Sequence, residues 1–217
     1  IILAIPFSER NKRNLILQEA IKNQLAVRTS PDLNELVLGN TDSLKLLDLG
    51  IEDLLDRKKV EPDLKLMEKD IKFQKVLVSG AGGTIGSQLC REIVKNNPDK
   101  ILLLDSNEYS LYSIQNELEE LNKEKLIEII PLLASVQDSK IINNIFRTWN
   151  PDTVYHAAAY KHVPIVEHNI TASLKNNVFG TLVIAKSALA NKVSNFVFIS
   201  TDKAVRPTNF MGATKRL

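Results

Sequence analysis

Lys75-Val76-Leu77-Val78-Ser79-Gly80-Ala81-Gly82-Gly83-Thr84-Ile85-Gly86 decides the fold of this 217-residue chain. The first five residues are a short β-rich run, and Ser87–Val94 follows with apolar residues at 89, 93 and 94, a helical pattern. Strand, glycine loop and helix thus arrive in the order an anion site requires. The glycines allow a tight turn and a close backbone approach, while the helix N-terminus offers N–H groups and a positive dipole end. Gly80, Gly83, Thr84, Ile85 and Gly86 are the candidate pyrophosphate contacts. The next apolar run, Lys100 to Leu104, ends in Asp105, nineteen residues after Gly86. A carboxylate at that distance grips adenosine ribose hydroxyls. Asp105 would repel a 2′-phosphate, and Ser106-Asn107-Glu108 holds no arginine to receive one, so the pattern selects NAD over NADP. The competing reading makes Asp105 a cap for a helix beginning near Glu108.

Working outward, the β-α alternation continues. A helix is expected over 108–121, with Leu111, Ile114 and Leu118 on one face. A third strand is expected over 126–133, broken by Pro131, then a helix over 138–149 and a strand over 153–156. A long helix over 171–191 and a fifth strand over 195–199 complete the series. Apolar strands alternating with helices specify a Rossmann-type, doubly wound parallel sheet for residues 73–217. Residues 1–72 read as a partial second α/β module and a charged linker containing Pro62. Its parts are a strand at 1–6, a helix at 10–24 with Leu15, Ile16 and Ile21 on the apolar side, and a strand at 25–29. Asp32 is placed to cap a short helix through Leu38. No catalytic constellation precedes residue 75, so this block reads as a packing or regulatory module whose sheet has lost strands.

Composition narrows the class. Hydrophobic residues make up 44% of the chain, enough for a core. A net charge of +2, with 28 Lys and Arg interleaved among 26 Asp and Glu, argues against nucleic acid as a partner. The single cysteine, Cys90, excludes an intrachain disulfide framework and reads as packed in the helix after the glycine loop. His156, His162 and His168 are spaced by six, which is not helical ligand spacing, and no metal is expected. No apolar run approaches a membrane span, and no signal peptide is visible. The chain opens Ile-Ile without an initiator methionine, so it is expected to be an excised piece, which leaves a membrane anchor upstream of residue 1 open.

A second informative stretch lies near the C-terminus. Phe196-Val197-Phe198-Ile199 reads as a buried strand that delivers Ser200-Thr201-Asp202-Lys203 to the C-terminal edge of the sheet. Lys215 is four residues past Met211, one helical turn on, so both are expected to face one cleft.

These segments, with His156-Ala157-Ala158-Ala159-Tyr160-Lys161-His162-Val163-Pro164 and Asn177-Val178-Phe179-Gly180-Thr181, resemble the extended short-chain dehydrogenases/reductases. More narrowly they resemble the membrane-linked polysaccharide-biosynthesis dehydratases that act on UDP-N-acetylglucosamine. Ile51-Glu52-Asp53-Leu54-Leu55-Asp56-Arg57 is similar to the segment before the dehydratase domain in the long, membrane-anchored members. The superfamily usually places a tyrosine four residues before the lysine. Here that position is Met211, as is usual in this subfamily.

The resemblance implies a redox-neutral loss of water: oxidation at C-4 by NAD, elimination across C-5 and C-6, and return of the hydride to C-6. It implies Asp202 as the acid at C-6, Lys203 as the base at C-5, Thr201 as a hydrogen-bond partner of the C-4 hydroxyl, and Lys215 on the nicotinamide ribose. To work near neutral pH, Asp202 must become a weaker acid, through burial, and Lys203 a weaker base, through desolvation and the nearby positive charge of Lys215. The acceptor of the C-4 hydroxyl proton stays open, between Asp202 and a water relay. Ala157, Ala158 and Ala159 are expected to admit the flat cofactor, Ser135 and Val136 to flank the adenine, and Asn177 to fix the backbone around it. Lys161 and His162 either touch substrate phosphate or face solvent. The resemblance further implies a homo-oligomer at the cytoplasmic face of the inner membrane. Leu217 closes the chain two residues after Lys215, so the C-terminal substrate lobe is expected to be missing and this piece inactive alone. Alternative readings are a sugar-nucleotide C-4 epimerase, disfavoured by Met211 and the Asp202-Lys203 pair, and a non-catalytic NAD-binding module.

Overall fold

Five short apolar runs become the parallel strands of one sheet in a computed structural model that describes residues 2–3, 5, 10–23, 25, 27–29, 47–48, 64–124 and 126–217. The chain divides into two compact units, Ile1–Pro62 and Asp63–Leu217. In the first, β1 (Ile2–Leu3) pairs parallel with β2 (Arg28–Thr29), which pairs antiparallel with β3 (Leu47–Asp48). Helix α1 (Arg10–Lys22) buries Arg13, Leu17 and Ala20, with the Arg13 guanidinium donating to the Ile5 carbonyl at 2.6 Å. The expected apolar side is therefore corrected. Leu15 is exposed because it lies on the side of the helix opposite positions 13, 17 and 20, while Ile16, at the flank of that stripe, is 38% exposed. The side chain of Ile21, and the helix expected from Asp32 to Leu38, lie outside the described residues.

The larger unit begins with α2 (Leu64–Ile71), which the sequence reading had placed in the linker. Then come β4 (Lys75–Ser79), α3 (Thr84–Lys95), β5 (Lys100–Asp105), α4 (Glu108–Leu121), β6 (Glu128–Leu133), α5 (Ser139–Trp149) and β7 (Thr153–His156). Helices α6 (Val163–His168) and α7 (Ile170–Ser173), a π-helical segment (Leu174–Gly180), α8 (Thr181–Ala190), β8 (Asn195–Phe198), a 3-10 turn (Asp202–Ala204) and α9 (Phe210–Arg216) follow. The strand order is β6-β5-β4-β7-β8, all parallel. Pro131, which cannot donate to a ladder, sits in β6 at the edge of that order.

Strand periodicity sorts the core into two layers. Val76, Val78, Ile101 and Leu103 pack with Cys90 and Ile93 of α3 and with Leu111, Ile114 and Leu118 of α4. Leu77, Leu102, Leu104 and Val154 face the other way, onto Ile142 and Phe146 of α5 and Ile184 of α8. Burial pushes the Cys90 thiol up to about 12, the behaviour of a packed cysteine. Polar caps set the helix starts: Asn107 Oδ1 accepts from Ser110 N at 2.9 Å, and Asp138 Oδ1 from Lys140 N at 3.0 Å and Ile141 N at 3.1 Å. The strand order runs outward from β4 in both directions, leaving a crevice at the C-terminal ends of β4 and β7. Among the described residues no helix is long and apolar enough to cross a membrane.

The helix expected over 171–191 is interrupted by the π segment, which puts Asn176 on the wall of the crevice and leaves Asn177 buried behind it. Gly180 closes that segment against Val136, whose Cγ2 would lie 2.7 Å from a Cβ at position 180.

Candidate active site

The C-terminal ends of β4, β5 and β7 open into a cleft of about 510 Å³. Its wall includes Gly80, Gly83, Asp105, Val136, Ala157, Ala158, Ala159 and His162 from the sequence reading. It also includes Gly82, Ser110, Tyr160 and Asn176, which that reading missed. Thr84, Ile85, Gly86, Ser135, Asn177 and Lys161 do not line it, nor do Thr201, Asp202, Lys203, Met211 and Lys215.

The glycines have separate jobs. Gly80 sits at φ 73°, and a Cβ there would lie 2.7 Å from Ala158 N and Cα. At Gly86 a Cβ would lie 1.9 Å from Gly80 O, so the missing side chain lets α3 abut the loop. At Gly83 a Cβ would meet only Gly80 O, at 3.2 Å, and otherwise point into open space beside the first turn of α3. That opening, next to first-turn N–H groups that have no intrahelical acceptor, fits the pyrophosphate of a dinucleotide.

Asp105 joins loop to strand. Its Oδ2 accepts from Gly82 N and its Oδ1 from Asn107 N, both at 2.9 Å. The cap of α4 is Asn107, so Asp105 is not the helix cap. Each carboxylate oxygen keeps acceptor capacity for a ribose hydroxyl. Lys161 Nζ lies 3.5 Å from Thr84 Oγ1, a cation placed beside the start of α3.

Asn177 is buried and points away from the cleft. Its Oδ1 accepts from Tyr160 N at 2.8 Å, while its Nδ2 donates to Tyr160 O and Thr214 Oγ1, each at 3.0 Å. It therefore ties the Ala157–Tyr160 loop to α9. Asn176 takes the position on the cleft wall, its Oδ1 accepting from Gln137 Nε2 at 3.4 Å. Ser135 Oγ accepts from Gln137 N at 3.2 Å, so it shapes the turn that carries Val136.

Beneath the cleft lies a buried polar chain the sequence did not reveal. Thr181 Oγ1 donates its one proton to Asn177 O at 2.6 Å, so His156 Nε2, 2.8 Å away, must donate to Thr181. His156 Nδ1 is then the acceptor for the Ser79 hydroxyl at 2.6 Å. Burial, helped by the positive charge of Lys215, pushes the imidazole down to about 4, so the ring is neutral. The pairing of strand ends that are 77 residues apart in sequence has no local signal.

On β8 and α9, Lys215 Nζ donates to Ile199 O at 3.1 Å and lies 4.5 Å from the centroid of the Phe198 ring. Burial lowers its ammonium to about 8. Met211 is buried in the same helix. Thr201 Oγ1 donates to Asp202 Oδ1 at 2.9 Å, which also accepts from Lys203 N at 3.0 Å. Asp202 and Lys203 are exposed, which corrects the expectation that burial would tune them. The 3-10 turn leaves the end of β8 on the outside of the sheet edge and turns both side chains to its surface. The expectation that β8 is buried is corrected with it. Phe196, Val197 and Phe198 are 37%, 39% and 37% exposed, because β8 ends the strand order and has only β7 beside it among the described residues. Gly212 brings α9 against that turn, where a Cβ would lie 2.4 Å from Lys203 O. Among the described residues no three His, Cys, Asp or Glu side chains gather to hold a metal.

Residues 76–217 match the model of a family described as polysaccharide biosynthesis protein. The capsular polysaccharide biosynthesis protein CapD of Staphylococcus aureus is 41% identical over 217 residues, all of this chain and 36% of that protein. A UDP-N-acetylglucosamine 4,6-dehydratase (inverting) of Campylobacter jejuni is 30% identical over 141 residues, 64% of this chain and 40% of that protein. Among solved structures, Pen from Bacillus thuringiensis superposes with a TM-score of 0.61 at 32% identity, covering 68% of this chain and 45% of that one. The chain spans 36% of the length of the CapD relative it matches.

Proposed function

The chain belongs to the polysaccharide biosynthesis protein family, and from that membership we propose that it forms the NAD-binding part of a UDP-N-acetylglucosamine 4,6-dehydratase. One observation carries the reading: Thr201, Asp202 and Lys203 stand at the end of β8, packed on a helix that holds Met211 and Lys215. An acid and a base on the turn after β8, packed on the helix of Lys215, suit elimination, and a thioether in place of a phenol suits it better than epimerisation.

NAD, when bound, would accept a hydride from C-4 of the sugar and return it at C-6. The first turn of α3 and Gly83 hold the pyrophosphate, and Asp105 accepts from the adenosine ribose hydroxyls. Ala157, Ala158 and Ala159 leave room for the dinucleotide along the end of β7. Lys215, oriented by Ile199 O and Phe198, meets the nicotinamide ribose. Thr201 hydrogen-bonds the C-4 hydroxyl, whose proton passes to Asp202 or a water relay; Lys203 takes the proton from C-5 and returns it once C-6 has received the hydride, and Asp202 protonates the departing C-6 hydroxyl. Both lie at the surface, so the water exclusion their roles need comes from the bound sugar and the groups that cover it. Lys161 and His162, at the rim, suit the substrate diphosphate. Assembly as a homo-oligomer at the cytoplasmic face of a membrane belongs to the same proposal and rests on family resemblance.

The test is mass spectrometry of UDP-N-acetylglucosamine incubated with the intact protein and catalytic NAD. Loss of one water without net NADH is expected. Unchanged mass with conversion at C-4 would assign an epimerase instead.

A further inference from the structure

Phe198 carries Lys215 on its ring, and the same ring is stacked on His156. We propose that His156 and Phe198 form a neutral platform that positions the Lys215 ammonium, making both of them positioning residues for the cofactor end of the site. The inference rests on the reading of Lys215 as the group that meets the cofactor ribose.

Three observations build it. The His156 and Phe198 rings are 5.7 Å apart and 19° from coplanar, a stacked arrangement. His156 cannot rotate, because Ser79 Oγ holds one ring nitrogen at 2.6 Å and Thr181 Oγ1 the other at 2.8 Å. Lys215 Nζ then has two anchors, Ile199 O at 3.1 Å and the Phe198 π-face at 4.5 Å from its centroid. The backbone closes the same unit, since Ile199 N donates to His156 O at 3.0 Å. A charged His156 would repel Lys215 through the stack. Burial of the ring disfavours that charge and keeps the platform neutral.

The test is competitive amine labelling of the intact protein across pH, without cofactor or substrate, read at the peptide that contains Lys215. Charged side chains on the elements packed against α9 are Glu167 and His168 on α6, Lys175 on the π segment, and Asp202 and Lys203 on the 3-10 turn, with Arg216 on α9 itself. Substituting Phe198 leaves all of them in place. Phe198→Leu keeps apolar volume and removes the π-face that favours the ammonium, so the labelling midpoint should fall by about 0.5–1.5 pH units. Phe198→Tyr should leave it at the parent value. His156→Phe, which keeps the stack but takes the partner from the buried Ser79 hydroxyl, should also retain the midpoint wherever it folds. NAD affinity should fall in Phe198→Leu and be restored in Phe198→Tyr. Equal midpoints in the parent and Phe198→Leu, or equal shifts in the Leu and Tyr variants, would overturn the proposal. A protein that labels as expected yet releases no water from UDP-N-acetylglucosamine would defeat the dehydratase reading and support the platform.

Discussion

Replacing Gly80 by alanine should unfold a large part of the site's stability without touching any charged group. Two costs add. The residue sits at φ 73°, where an L side chain costs about 1–2 kcal/mol. Its Cβ would also lie 2.7 Å from the backbone N and Cα of Ala158. That backbone is pinned on both sides, by Ala157 N donating to Ser79 O at 2.9 Å and Tyr160 N to Asn177 Oδ1 at 2.8 Å, so it yields little. Overpacking of this kind costs about 1–3 kcal/mol, for a sum of about 2–5 kcal/mol. Small domains are stable by about 5–15 kcal/mol, so the loss is severe. With a urea slope of about 2 kcal/mol per M, the midpoint should fall by about 1–2.5 M. Fluorescence of Trp149, the only tryptophan in the sequence, reports the transition. Gly83→Ala is the control. Its Cβ meets only Gly80 O at 3.2 Å, so it should cost less than about 1 kcal/mol while lowering NAD affinity about tenfold or more. A Gly80→Ala protein with the parent midpoint would mean that neither the backbone conformation nor the approach of Ala158 constrains this position.

Other outcomes follow from the same geometry. Asp105→Asn leaves one acceptor oxygen for the amides of Gly82 and Asn107, and should lose about 1–3 kcal/mol of stability together with NAD affinity, by urea titration and calorimetry. The His156 imidazole falls from 6.5 to about 4 on folding, so the unfolded chain binds the extra proton. Its contribution is complete above pH 6.5 and is lost as pH falls toward 4, by about 3 kcal/mol in all. His156→Gln should remove that part of the slope, and an unchanged pH profile would show the ring is not neutral in the fold. In the intact protein, Asp202→Asn or Lys203→Met should abolish elimination with NAD affinity nearly unchanged. Water release at the parent rate by either variant would reassign the roles.

What the sequence made legible is what neighbouring residues decide among themselves. The helix expected over 108–121 and the strand over 153–156 appear at those bounds, because Asn107 caps one and the β-branched and aromatic residues Thr153, Val154 and Tyr155, between Pro151 and small residues, make the other. The glycine loop and Asp105 were readable for the same reason, since strand, turn and carboxylate lie within one β-α-β unit. The π segment at 174–180 was not. Its extra residue is held by contacts to Tyr160, Thr214 and Val136, which helical periodicity does not encode. The chain from Ser79 through His156 to Thr181 was hidden too, because its members meet only when β4, β7 and α8 are assembled. The burial expected at β8, Asp202 and Lys203 failed because apolar and charged residue types do not reveal which strand ends a sheet.

The proposed reaction is an intramolecular hydride shift coupled to loss of water. UDP-N-acetylglucosamine carrying deuterium at C-4 should be converted by the intact protein, with catalytic NAD, to a product one water lighter that carries the deuterium at C-6. Deuterium still at C-4 in a sugar of unchanged mass, in a protein that binds NAD, would contradict the account.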